Sequence, residues 1–142
     1  MRRLVSSLLV LTIAACGDDI TAPMSAHGVS ITVTQSGIDA YGTTMSVRIA
    51  NGASSTAFLI PCGAGPLLLV QQLVNGRWQS QPIALLCPAP LMPGPLTIAA
   101  GDALVVTRSF SLPGRFRLAV DVGTSSDMND GEDATSNSFD IR

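Results

Sequence analysis

The sequence predicts an all-β protein built as an antiparallel sandwich of two sheets. Apolar and polar residues alternate with a period of two in several segments, as in Val29-Ser30-Ile31-Thr32-Val33, and such alternation with β-branched residues is typical of half-buried strands. Turn signals rich in glycine, proline and asparagine separate these segments at short intervals. No long stretch has the capped, amphipathic pattern of a helix. These observations indicate about seven to nine short strands.

Each predicted strand rests on an apolar pattern between two turns. Alternation predicts strands at 29–34, 45–50, 104–110, 116–122 and 139–141. Continuous apolar runs at 57–60 and 67–70 are typical of strands covered on both faces. Asn75-Gly76 predicts a tight hairpin turn between two further strand segments. We expect the large aromatic residues to fill much of the core or its rim: Phe58, Trp78, Phe110, Phe116 and Phe139.

The N-terminus has the features of an export signal that ends at Cys16. Arg2 and Arg3 precede an apolar run at 4–13, and small residues stand directly before the cysteine. The run is shorter than the ~20 apolar residues that cross a bilayer. Residues 13–16, Ile-Ala-Ala-Cys, resemble the lipobox of bacterial lipoproteins.

The lipobox resemblance implies a lipid anchor. It implies removal of residues 1–15 as a signal peptide, a diacylglycerol thioether on Cys16 and an acyl chain such as palmitate on the Cys16 amine. The alternative is an ordinary signal peptide with a coincidental cysteine. The small, polar, acidic residues 16–27 then form a flexible tether, and 28–142 form the sandwich domain. The predicted location is the cell envelope, with the protein lipid-anchored to a membrane and facing the periplasm or the exterior.

Charge argues against a nucleic-acid partner. Residues 16–142 hold six arginines and ten acidic residues, a formal net charge of −4. A nucleic-acid-binding domain carries instead a basic patch or stripe.

Cys62 and Cys87 remain if Cys16 carries lipid. An even pair of cysteines in an exported protein predicts a disulfide. Closing a loop of this length stabilises the fold by roughly 3 kcal/mol in the chain-entropy model. Two free thiols or a two-cysteine metal site are the alternatives.

Four segments carry a second resemblance. They are 47–51 (Val-Arg-Ile-Ala-Asn), 74–78 (Val-Asn-Gly-Arg-Trp), 98–102 (Ile-Ala-Ala-Gly-Asp) and 112–118 (Leu-Pro-Gly-Arg-Phe-Arg-Leu). Their order resembles the immunoglobulin-like domains of exported bacterial lipoproteins, and similar elements occur in bacterial proteinase-inhibitor domains of sandwich shape. The resemblance implies an immunoglobulin-like β-sandwich and no catalytic activity.

Candidate catalytic and metal-binding residues are few. His27, the single histidine, lies just before the first strand and is interpreted as a solvated linker residue, so no hydrolase triad is predicted. Asp127, Asn129, Asp130 and Asp133 form a weak calcium candidate, since their oxygens suit a hard cation. Their spacing is not that of an EF-hand, and a solvated, exposed and mobile loop is the competing interpretation.

The sequence therefore predicts a non-catalytic envelope protein without a cofactor. Its predicted partners are the membrane, through the lipid on Cys16, and an unknown envelope protein or polysaccharide. The alternative function is an inhibitor or plug-like domain that acts on an exported enzyme through a protruding loop, with residues 63–86 as the place for that loop.

Overall fold

The protein is all-β. The computed structural model describes residues 22–40, 42–81 and 94–142. These ranges contain twelve strands and no helix, so they hold no helical segment that could cross a membrane. The strands are β1 (Val29–Asp39), β2 (Gly42–Asn51), β3 (Ala57–Leu59), β4 (Pro61–Cys62), β5 (Gly65–Pro66), β6 (Leu69–Val74), β7 (Arg77–Ser80), β8 (Leu96–Ile98), β9 (Ala103–Phe110), β10 (Gly114–Gly123), β11 (Glu132–Thr135) and β12 (Phe139–Ile141).

Two antiparallel sheets form the sandwich, which confirms the predicted fold class. The first sheet has the order β1-β2-β9. The second has the order β7-β6-β10-β3-β8, and β11 and β12 also pair with β10. Because β10 pairs with β6 and β11 at the same residue, Ala119, these two partners lie on opposite edges of β10. β10 is therefore the central strand of the second sheet.

The described residues form twelve strands where seven to nine were predicted, because two of the strands are interrupted. β3 and β6 pair with successive parts of the same edge of β10, and the small β4–β5 hairpin lies between them. The Leu67 amide donates to the Ile60 carbonyl oxygen at 2.8 Å and closes the base of this excursion. β11 and β12 divide the other edge of β10 in the same way. Without β4 and β5, and with each interrupted pair counted once, eight strands remain, within the predicted range.

The core lies between the two sheets. The apolar positions of the alternating segments are buried, because every second side chain of a strand points to the same face. This confirms the predicted inner faces of β1, β2 and β10, while Leu104 and Val106 of β9 are half-buried against the core. The strand residues that supply most of it are Val29, Ile31, Val33, Met45, Val47, Ile49, Leu59, Phe116, Leu118, Val120, Val122, Phe139 and Ile141.

Three phenylalanines pack together at one end of the core. Phe110 and Phe139 meet edge to face with ring centroids 5.2 Å apart, and Phe116 lies 5.9 Å from Phe110. The prediction that aromatic residues fill the core is right for these three.

The same prediction is wrong for Trp78 and Phe58. Both are half-buried and lie outside the core cluster. The guanidinium carbon of Arg117 lies 4.6 Å from the Trp78 ring centroid, and Arg117 alternates with the inward-facing Leu118. Phe58 pairs with Gly123, next to the inward-facing Val122. The register thus places both aromatic side chains on the outer face of the second sheet.

Asn51, at the end of β2, joins the two sheets. Its side chain is 1% exposed, and its amide nitrogen lies 2.8, 3.0 and 3.2 Å from the carbonyl oxygens of Ser55, Ile98 and Ala99. Its side-chain oxygen accepts from the Ala53 amide at 3.0 Å. Ile98 ends β8 in the second sheet, so one buried side chain fixes where the chain crosses to β9 in the first.

A second amide side chain closes the edge of β1. Asn137 lies between β11 and β12, accepts from the Val33 amide at 2.8 Å and donates to the Val33 carbonyl oxygen at 3.0 Å. Because both Val33 groups bond to Asn137, they face away from β2. The free edge of the first sheet is thus joined here to the second sheet.

The chain makes contact with the fold before the predicted domain boundary at residue 28. The backbones of Met24 and Thr135 exchange hydrogen bonds of 3.0 and 2.8 Å, which adds the chain to the edge of β11. It then reverses at His27 and Gly28, which both have positive φ, and enters β1. Residues 24–27, predicted as the end of the tether, are therefore hydrogen-bonded to the domain. The predicted Asn75-Gly76 turn is confirmed, with both residues at positive φ.

We predict that Asn51→Ala lowers the free energy of unfolding by about 2–4 kcal/mol, because it removes a buried hydrogen bond to Ile98 and part-buried ones to Ser55, Ala99 and Ala53. Thr107→Ala, an exposed change on β9, is the control and costs less than about 1 kcal/mol. Urea unfolding followed by circular dichroism measures both. Equal, small losses for the two variants would contradict the role given to Asn51.

Candidate functional site

The sandwich has two ends, defined here by the connections they carry. The attachment end is where the chain enters, and it carries the His27–Gly28 turn and the connections 52–56, 99–102 and 124–131. The distal end carries the β1–β2 connection, the turn at 75–76 and the loop 111–113. Strand register places each set together, since Val29 pairs with Asn51 at one end and Thr43 with Phe110 at the other.

The charges of the described residues divide between the two ends. Six acidic residues lie at or near the attachment end: Asp102, Asp121, Asp127, Asp130, Glu132 and Asp133. Four exposed arginines lie at or near the distal end: Arg77, Arg108, Arg115 and Arg142. At the distal end Asp140 forms a two-pronged ion pair with Arg115, with both N–O distances 3.0 Å. Arg115 lowers the pKa of Asp140 through these hydrogen bonds and through its charge. Asp39 at the end of β1 and Asp140 offset two of the four arginines, so the side chains of the distal end keep a net positive charge, whereas the attachment end is acidic.

Two of the three cysteines lie outside the described residues. The predicted lipid site, Cys16, and Cys87 both fall there. Cys62 is half-buried at the end of β4, and its sulfur is held in a disulfide. Because Cys87 is outside the described ranges, the pairing of Cys62 with Cys87 stays a prediction.

The loop 124–131 is organised by its own carboxylates. Asp130 accepts from the Thr124 amide at 3.1 Å and from the Thr124 hydroxyl. Asp127 accepts from the Ser125 hydroxyl at 2.6 Å and from the Asn129 amide at 3.3 Å. The Thr124 hydroxyl lowers the pKa of Asp130, and the Ser125 hydroxyl lowers that of Asp127. The loop is exposed, as predicted, but it has a defined hydrogen-bond pattern.

The four calcium candidates do not share one cluster. Asp127, Asn129 and Asp130 lie in the loop, whereas Asp133 lies in β11 opposite Asp121. Across residues 22–40, 42–81 and 94–142, no three His, Cys, Asp or Glu side chains are grouped so that they could hold a metal ion. The calcium site stays a prediction.

His27 is docked, which corrects its interpretation as a solvated linker residue. Its side chain is 24% exposed, and Nε2 lies 2.9 Å from the Asp130 carbonyl oxygen. Since a carbonyl only accepts, Nε2 carries the proton and donates. The Glu132 carboxylate lies 3.9 Å from the same nitrogen. His27 thus fastens the entering chain to the acidic loop, a contact between distant residues that the sequence does not reveal.

Arg117 is held on the outer face of the second sheet. Besides stacking on Trp78, its Nε donates to the Gln71 side-chain oxygen at 2.7 Å. Partial burial lowers the pKa of Arg117, and the charge of Asp133 opposes that effect. The guanidinium remains charged at neutral pH. Through these two contacts Arg117 of β10 links to Gln71 of β6 and to Trp78 of β7.

Two grooves open between the sheets at the distal end. The first, about 400 Å³, is lined by Gln35, Ile38, Thr43, Asp140 and Arg142. The second, about 270 Å³, is lined by Val70, Gln81, Ser109, Phe110, Ser111, Leu112 and Phe116. Phe110 and Phe116 of the aromatic cluster line the second groove. The sequence analysis did not predict this surface. The residues that could have indicated it are two isolated apolar side chains beside turns, Ile38 and Leu112.

The segment 63–86, predicted as the place for a protruding loop, is described only over residues 63–81. These residues form β5 of the small β4–β5 hairpin and the strands β6 and β7, with the short turn at 75–76, and residues 82–86 lie outside the described residues. The exposed apolar loop of the described chain is instead 111–113, where Leu112 is 70% exposed.

Comparisons with known proteins identify no family. No family model matches this chain, and no curated protein matches it.

We predict that the Thr124 amide resonance titrates with Asp130, at a pKa below the ordinary value of 3.8. Because the pKa is lowered in the folded state, the hydrogen bonds contribute fully above that ordinary value and are lost as pH falls through the lowered pKa. Proton–nitrogen NMR between neutral and acidic pH follows the resonance. Asp130→Asn abolishes the titration and Asp102→Asn leaves it unchanged. A Thr124 resonance that titrates at or above 3.8 would contradict the loop geometry.

Proposed function

We propose that this chain is a non-catalytic, lipid-anchored protein of the cell envelope that acts as a binding module. The observation that carries the proposal is the segment ending in Ile13-Ala14-Ala15-Cys16 behind two arginines and a short apolar run. Lipid on Cys16 tethers the sandwich to a membrane, and the domain faces the periplasm or the exterior.

The entry of the chain into the fold supports a tethered domain. Met24, only eight residues after Cys16, is already hydrogen-bonded to β11, so the link between lipid and domain is short. Because the chain enters the fold at the attachment end, the short link holds this end nearest to the membrane and leaves the distal end farther away.

The engagement of the chemically competent side chains supports a non-catalytic role. Nε2 of His27 donates to a backbone carbonyl, and the carboxylates of Asp127 and Asp130 accept from their own loop. Asp140 is paired with Arg115. A general base must be free to reach a substrate proton. Since these groups are hydrogen-bonded or paired within the fold, we assign them a structural role.

The alternative function is inhibition of an exported enzyme, with Leu112 as the residue that would contact the enzyme. This side chain is 70% exposed on the loop between β9 and β10. An inhibitor presents such an apolar anchor on a rigid loop, and Phe110 and Phe116 support this loop from the core side.

We predict that Cys16→Ser abolishes incorporation of a palmitate analogue and moves the protein out of the membrane fraction. Metabolic labelling and fractionation measure the two effects. The double variant Cys62→Ser/Cys87→Ser is the control, because it removes the other thiols and keeps the label. A mature N-terminus at any residue other than Cys16, found by mass spectrometry, refutes the anchor.

We also propose that Cys62 and Cys87 form the disulfide. Peptide mapping of exported protein without reductant should recover them as one linked pair, with neither alkylated. Reduction should lower the free energy of unfolding by roughly 3 kcal/mol. Recovery of Cys87 as a free thiol in oxidised protein would exclude this pairing.

A further inference from the structure

Ile38 is an apolar side chain on the core-facing side of the first sheet that remains 79% exposed. A β-bulge between Gln35 and Gly37 shifts the register by one residue. After this shift Ile38 pairs with Thr43, which pairs with Phe110 on β9. Cross-strand partners share a face, and Phe110 packs against the core. The bulge therefore turns Ile38 toward the inner side at the rim, where it lines the first groove.

Leu112 repeats this arrangement at the second groove. It is 70% exposed and lies two residues after Phe110. Phe110 and Phe116, which form the floor of this groove, belong to the aromatic cluster. Binding grooves are lined mainly by apolar and aromatic side chains with a few polar groups, and the second groove has this composition.

Charge selects the kind of occupant. Asp140 and Arg142 both line the first groove, and Asp140 is paired with Arg115. None of the described residues that line the second groove is charged, but Arg108 directly precedes its lining residue Ser109. With Arg77 at the nearby β6–β7 turn, the arginines of this end outnumber its two described acidic residues, Asp39 and Asp140. An acidic ligand is attracted to this end and is repelled by the six acidic residues at the opposite end.

We propose that the distal end binds an extended acidic segment of another cell-envelope protein, which places apolar side chains in the two grooves beside Ile38 and Leu112. This inference rests on the proposed function, because it identifies the surface and partner chemistry of the binding module. The anchored geometry favours another protein over a second copy. The acidic end of a second copy is next to its own lipid-anchored Cys16 and is turned toward the membrane.

The test is selection of a phage-displayed random peptide library on the full chain in detergent micelles. We expect enriched peptides that combine acidic and apolar residues, and whose affinity falls as salt is raised. Ile38→Asp and Leu112→Asp should each weaken these peptides by about tenfold or more. Arg142→Glu should weaken them and reduce the salt dependence.

Matched controls separate the distal end from the rest of the surface. Val105→Asp introduces an aspartate at a 59% exposed residue on β9, and Arg48→Glu makes the same charge reversal at an exposed residue of β2. Both should leave affinity unchanged. Circular dichroism confirms the fold of every variant, and all five positions are exposed, so loss of fold is not expected.

Three results would overturn the proposal. The first is a library without acidic enrichment or without any binder. The second is a set of binders that is insensitive to the distal substitutions. In that case the chain remains a binding module, and only the location is wrong. The third is self-association of the full chain through Ile38, seen by sedimentation, which would make a second copy the occupant. Loss of lipid labelling is a separate readout that bears on the proposed anchor alone.

Discussion

The hydrogen bonds of the Asn51 side chain fix the relation between the two sheets. Apolar packing is strong but not directional, so it brings two sheets together without specifying how their ends align. Asn51 lies at the end of β2 and bonds to the carbonyl oxygen of Ile98 at the end of β8. The Asn51 backbone amide donates to the Asp102 carbonyl oxygen, and the Gly101 amide donates to the Asn51 carbonyl oxygen, both at 2.9 Å. These bonds hold the turn at 99–102 beside the end of β2. The start of β9, and with it the first sheet, depends on this one buried polar group.

The opposite end of the sandwich is built differently. Its interior is aromatic, with Phe110, Phe116 and Phe139 in mutual contact. Hydrogen bonds of Asn51 join the two sheets at the attachment end, whereas two grooves lie at the distal end. This difference coincides with the division of charge. The acidic end carries the hydrogen bonds of Asn51, and the basic end carries the two grooves.

The predictable part of the fold is the part set by local pattern. Alternation in 29–33 determines which side chains of β1 point inward, and Asn75-Gly76 encodes its own turn through positive φ. The aromatic prediction failed at Trp78 because the residues of an edge strand do not reveal which face the sheet buries. Ile38 was missed because a bulge reverses the alternation from that point and leaves no clear local signal.

The contacts that organise the candidate site join residues far apart in the chain. His27 bonds to Asp130, and Asn137 bonds to Val33. Neither residue type nor spacing identifies such pairs, since a histidine in a polar stretch and an asparagine between two strands each suit solvent equally well. The acidic loop 124–131 could be predicted in part from the sequence. Its composition indicates exposure, but the pattern of acceptors in Asp127 and Asp130 depends on the turn geometry.

The central claim is that the sandwich is held to a membrane at its acidic end and presents its distal end outward. The most direct measurement uses the lipid-modified protein in vesicles, with a fluorophore attached either to Ser126→Cys at the attachment end or to Asn75→Cys at the distal end. Both positions are exposed. A quencher fixed to lipid headgroups should quench the label at position 126 strongly and the label at position 75 weakly. Stronger quenching at position 75 would mean that the distal end lies against the membrane, which would contradict the account.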